Sequence, residues 1–153
     1  PYGPFEGVNG ITADEGSGLL GIASASDELI AISTETGAAT LVGPLEVDFG
    51  SGGASWSEDQ GALYGISGTD ILYLIDPVTA EATMVAKLNY DFGSVGFEVH
   101  PENGVLYACS SEGELLEVDP DSGQVTVIGS LGWKGACTNL AAPYTDIACI
   151  DGI

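Results

Sequence analysis

Apolar and polar residues alternate along this chain in short runs, and a cluster of turn formers breaks each run. The clearest stretch is 63–88, LYGISGTDILYLIDPVTAEATMVAKL. Its alternation predicts strands over 63–67, 71–75 and 82–87. SGTD at 67–70 makes the first turn, and DPVTAE at 76–81 makes the second, with Pro77 pre-set for a turn's second position. Stretches 106–131 and 19–45 carry the same pattern with other side chains. Helical periodicity is missing over any useful length.

The pattern recurs at a fixed period. Asp76 and Asp119 share one phase, as do Gly50 and Gly93, Gly53 and Gly96, Leu63 and Leu106, and Asp48 and Asp91; each pair is 43 residues apart. The repeats run 8–50, 51–93 and 94–136, and a half repeat occupies 137–153. Repeat 1 holds one extra residue between Leu19 and Asp27. Residues 1–7 read as the tail of a further repeat, because GPFE matches GPLE at 43–46. Each full repeat predicts four strands. Strand A covers 8–12, 53–56, 95–99 and 138–142. Strand B covers 19–24, 63–67, 106–110 and 147–150. Strand C covers 28–33, 71–75 and 114–118, and strand D covers 39–42, 82–87 and 124–128.

A unit of this length with four antiparallel strands has the size of a β-propeller blade. One such sheet cannot bury both faces alone, so it needs neighbours. The expected fold is therefore all-β and propeller-like, with four-stranded antiparallel blades and about three and a half blades per chain. Glycines before strand A suit an inner strand crowded at the axis. A solenoid of β-arches is the structural alternative, and the D-P hairpin turns argue against it. Three and a half blades leave closure open. Two chains joining into seven blades, a small four-bladed ring, and a filament or partner-completed ring all answer it.

Composition narrows the partners. Asp and Glu number 23 against 2 Lys and Arg, a formal charge of −21. That excludes nucleic acid and an anionic membrane surface as expected partners. The acidic surface suits a salt-exposed environment or calcium, although no D-x-D-x-D-G loop is present. The expectation is no cofactor, with calcium as the alternative. At 44% hydrophobic the chain can bury a core.

Of the three cysteines, Cys137 and Cys149 flank the predicted hairpin of the half repeat, and the expected disulfide joins them. Cys109 lies within a strand and reads as a small buried hydrophobe. The sequence opens at Pro1 without an initiator Met or leader-like segment and has no apolar run long enough to span a bilayer. The expectation is a processed, exported protein, extracellular or periplasmic, or else an excised piece.

The stretches LYGIS…ILYLIDPVTAEATMVAKL and LYACS…LLEVDPDSGQVTVIGSL resemble the L-Y-x-[IV]…[IV]-D-P-x-T-G-x-x-T-x-[IV]-G-x-L repeat of secreted bacterial β-propellers. Repeat 1 departs from it with Ser33-Thr34 where D-P is expected. The resemblance implies the fold. It leaves the function open among binding platforms, adhesins and, less often, hydrolases or lyases.

Candidate chemistry concentrates in the loops between strand D and the next strand A. There Val47, Tyr90 and Trp133 correspond, and so do Asp48, Asp91 and Lys134. An aromatic beside a charge suits a sugar ring, and Asp48 with Asp91 suits a shared cation. The structural reading is that Phe49 and Phe92 pack between blades while the aspartates cap the turn and Lys134 pairs with Asp91. His100, the single histidine, sits in an A–B turn on the opposite face, and no G-x-S-x-G elbow supplies a nucleophile. Trp56 reads as inter-blade core, and Tyr64 and Tyr107 read as structural, with their hydroxyls hydrogen-bonded. The function expected is a non-enzymatic binding or assembly module that completes its propeller as a homo-oligomer or with a partner protein. The alternatives are a glycan- or calcium-binding propeller and, last, a hydrolase or lyase.

Overall fold

The computed structural model describes residues 5–13, 18–133 and 135–142. Twelve strands fall in three groups of four among them. Blade 1 comprises β1 (Val8–Ala13), β2 (Leu19–Ala23), β3 (Glu28–Ile32) and β4 (Ala39–Pro44). Blade 2 comprises β5 (Gly53–Ser57), β6 (Ala62–Ile66), β7 (Ile71–Ile75) and β8 (Ala82–Lys87). Blade 3 comprises β9 (Gly96–Val99), β10 (Leu106–Cys109), β11 (Glu114–Val118) and β12 (Val125–Ser130). Each blade is an antiparallel meander in sequence order. The extra residue of repeat 1 falls in the β2–β3 hairpin, which is one residue longer than the β6–β7 hairpin.

The turns form where the sequence supplies their chemistry. Asp76 Oδ1 accepts from Val78 N and Thr79 N, both at 2.8 Å, and so closes the β7–β8 turn. Asp119 plays the same part before β12, through Asp121 N and Ser122 Oγ. In repeat 1, where D-P is missing, Ser33 Oγ accepts from Thr36 N instead. These bonds to the ionised form hold the Asp76 and Asp119 carboxyls below their usual range.

Blades stack face to face, and two apolar layers fill the gaps. Between blades 1 and 2 lie Leu20, Ile22, Leu29, Phe49, Trp56, Leu63 and Ile75. Between blades 2 and 3 lie Ile66, Leu72, Phe92, Phe97, Leu106, Leu116 and Val118. Trp56 is thus core, as its position in strand A predicts.

The innermost strands β1, β5 and β9 lie side by side. A Cβ on Gly10 would stand 2.6 Å from Ala54 N, and one on Gly96 2.5 Å from Asn139 N. Only glycine admits a neighbouring backbone this closely. A row of side-chain acceptors stitches the same strands together. Trp56 N donates to Thr12 Oγ1 and Val99 N to Ser55 Oγ, each at 3.0 Å, and Ala142 N donates to Glu98 Oε1 at 3.3 Å. Residues 138–142 thereby follow β9 as the start of a fourth blade, but they form no assigned strand. The predicted strand 147–150 lies outside the described residues. At the next phase of both patterns stand Asn139, in place of glycine, and Ala141, in place of an acceptor.

Outer strands carry a bulge at one recurring place. Val42, Val85 and Ile128 are each skipped in the pairing with the strand inside them. A bulge twists an exposed edge away from further strand pairing. The rim edges are therefore blunted, and among the described residues the open surface is the outer face of blade 1.

Candidate functional site

The D–A loops are held by a residue that the sequence reading did not single out. Asp27 and Asp70 sit in the B–C hairpins at one phase of the repeat, with φ of 51° and 61°. Asp27 Oδ1 accepts from Phe49 N at 2.9 Å, and Asp70 Oδ1 accepts from Phe92 N at 3.1 Å. Their carbonyls accept from Leu45 N and Leu88 N. Aspartate tolerates this left-handed backbone and supplies the cap together. Gly113 occupies the position in blade 3. The signal was present in the sequence as two aspartates 43 residues apart.

Phe49 and Phe92 are fully buried between blades, as expected. Phe49 covers Gly65, where a Cβ would stand 2.9 Å from its ring. Each loop is tied to the next blade's hairpin by Gly68 N to Phe49 O and by Ser111 N to Phe92 O. Gly7 makes the equivalent bond to Ser24 N but brings no side chain. In blade 1 it is Val8, Ile11 and Ile32 that close over the corresponding Gly21. Ile11 stays 56% exposed and Val8 37%.

The candidate ligand residues separate. Val47 packs against the core between blades 1 and 2. The Tyr90 hydroxyl donates to Glu114 Oε2 and is hydrogen-bonded to Ser110 Oγ, and the ring lies 4.9 Å from Phe92. Burial and the Glu114 carboxylate push that phenol's pKa up. Asp91 Oδ1 accepts from Gly93 N at 3.2 Å and so caps its own loop. Asp48 is exposed. Trp133 is 52% exposed. Lys134, with its proposed pairing to Asp91, lies outside the described residues. On the opposite face, His100 Nδ1 accepts from Glu102 N, and its ring stands edge-on to Tyr107 at 6.2 Å.

The cysteine expectation needs correcting. Cys137 is bonded to Cys109, not to Cys149, and Cys149 lies outside the described residues. Cys109 is buried but is not a lone hydrophobe. The physical reason is topological. The D–A connection carries the chain back over the end of β10, bringing residues 28 apart in sequence to a Cα separation of 5.6 Å. Cys137 N also donates to Ser110 O. A disulfide at this position points to an oxidising, extracytoplasmic compartment.

A second feature lies along the axis. The inner strands line a cavity of about 390 Å³. Its walls include Ile11, Ser94, Phe97, Glu98, Asn139 and Leu140. Glu98 stands where repeats 1 and 2 have Thr12 and Ser55. Its Oε2 accepts from Ser55 Oγ at 3.0 Å and its Oε1 from Ala142 N. Burial pushes the carboxyl's pKa up, against the opposing pull of those two bonds. Ser94 Oγ is buried with no hydrogen-bond partner.

No protein-family model and no curated protein matches this chain. Solved structures do. Virginiamycin B lyase from Staphylococcus aureus, in complex with quinupristin, matches at TM-score 0.67 and 12% identity over 95% of this chain and 48% of its own. A nidogen/laminin complex matches at TM-score 0.67 and 13% identity over 86% and 51%. A protein of unknown function from Bacteroides thetaiotaomicron matches at TM-score 0.63 and 21% identity over 86% and 34%. The chain therefore spans about a third to a half of these three structures. At these identities the likeness carries the fold alone: three blades of a β-propeller. Similar structures include both enzymes and binding proteins, so the fold does not choose between them.

Proposed function

We propose that the chain is an extracellular, non-enzymatic binding and assembly module whose open blade face is covered by another blade, supplied by a second copy. The observation that carries this is the contrast between blade faces. Blade 2 has its Gly65 face sealed by Phe49 from the blade before it. The same face of blade 1 has Gly7 in place of that phenylalanine and leaves Val8 and Ile11 in solvent. A blade buries both faces in this architecture. The blunted rim directs association to that end face. Sedimentation of the wild type and of Ile11→Glu tests the reading: a discrete oligomer that Ile11→Glu dissociates supports it, and a wild-type monomer at all concentrations overturns it.

A glycan-binding reading of the loop face keeps one observation in its favour, the half-exposed ring of Trp133. Loss of glycan-array signal in Trp133→Ala would favour it over assembly alone. A blank array with the wild type removes it.

A further inference from the structure

Among the described residues, no lysine or arginine stands against the Glu98 carboxylate. Its two oxygens meet a hydroxyl and a backbone N–H, both neutral. The described lysine, Lys87, sits on the outer strand β8, at the other edge of its blade from the axis. His100, next but one along the chain, acts on the carboxyl only as a minor through-space pull. A half-buried charge of this kind costs free energy unless a partner offsets it.

The surrounding wall says what that something is. A hard divalent ion takes six to eight oxygen ligands with several carboxylates among them. Among the described residues no group of three or more His, Cys, Asp or Glu could hold a metal ion. An anion is excluded by the carboxylate itself and by the formal charge of −21. A primary ammonium fits better. It brings one charge and three donors, to be met by one carboxylate and neutral oxygens. Ser94 Oγ, buried and unpartnered, and Asn139 lie on the same wall. Ile11, Phe97 and Leu140 line the remainder and suit an aliphatic stem.

We propose that the axial cavity binds an alkylammonium group, with Glu98 as its charged partner and Ser94 as a neutral one. The group is a free small amine or a lysine side chain of a partner peptide, since both present the same chemistry.

Isothermal titration of the intact chain with n-butylammonium, with N-acetyl-lysine methylamide and with calcium chloride separates the cases. One amine site per chain is expected, with binding at least tenfold weaker in Glu98→Gln and unchanged in Asp91→Asn. The carboxamide keeps an acceptor for Ala142 N, so the variant folds, and circular dichroism checks this. Butylammonium binding as well as the lysine derivative identifies a small amine as sufficient; binding of the lysine derivative alone identifies a peptide. Equal binding in wild type and Glu98→Gln overturns the proposal, and so does calcium displacing the amine or no amine binding at all. Val8 and Ile11 line both this cavity and the open face of blade 1, so sedimentation of the same samples reports the oligomeric state in which the amine binds.

Discussion

Ser55 Oγ donates to Glu98 Oε2 while accepting from Val99 N, both at 3.0 Å, so one buried hydroxyl joins the inner strands of two blades and orients a carboxylate at the axis. Removing it leaves a buried N–H unpaired and frees Glu98. Ser55→Ala is therefore expected to cost about 1–3 kcal/mol, read from urea unfolding. A loss below the error of the measurement would show that the stitch is dispensable.

Glu98 and Asp76 predict pH effects of opposite sign. The folded-state pKa of Glu98 is raised. Its contribution to stability is thus fully present below the unfolded pKa and is lost as pH rises through the folded one. Asp76 is lowered, so its contribution is present above the unfolded pKa and is lost as pH falls through the folded value. Glu98→Gln should gain Tm relative to wild type at pH 7 and lose that advantage near pH 4. Asp76→Asn should lose Tm at pH 7 and converge with wild type in acid. Parallel Tm–pH curves for either variant would contradict the assignment.

Asp70 combines a cap with a left-handed backbone at φ 61°. Asp70→Gly loses only the cap, whereas Asp70→Ala loses the cap and keeps the strain. The expected order of stability is wild type, then Gly, then Ala, with about 1 kcal/mol between the last two. Gly113 at the same phase of blade 3 is nature's version of the first substitution.

Gly123 lies at φ 72° in the turn before β12, and a Cβ there would stand 2.5 Å from Lys87 O. Gly123→Ala should cost more than about 2 kcal/mol, because strain and a backbone clash add. Ala80 holds the equivalent φ of 63° without such a clash, so Ala80→Gly makes the comparison.

The Cys109–Cys137 bond closes a separation of 28 residues. Loss of a bridge over that span costs about 3–4 kcal/mol. Unfolding with and without reductant measures it. Thiol titration of the unfolded, unreduced chain should find one reactive group.

Strand positions were legible because turn chemistry and period agree at every level. The predicted strand C of 71–75 and strand D of 82–87 coincide with β7 and β8, and β9 starts one residue late, at Gly96. The site was less legible. Asp70 reaches Phe92 N over 22 residues, and Ser55 reaches Glu98 over 43, so neither pairing shows in a local window. Superposing the repeats column by column would have exposed both, and would have marked Glu98 as an acid in a column of hydroxyls. The cysteine pairing failed for a related reason. It assumed a hairpin between neighbours in sequence, while the fold joins the end of one blade's second strand to the threshold of the next blade.

The departures at Asn139 and Ala141 end the pattern that the three inner strands share. A further inner strand seated like its predecessors would run into the Cβ of Asn139 and would find no acceptor at Ala141. The tight lacing of inner strands is thus confined to the three blades that carry both the glycine and the acceptor.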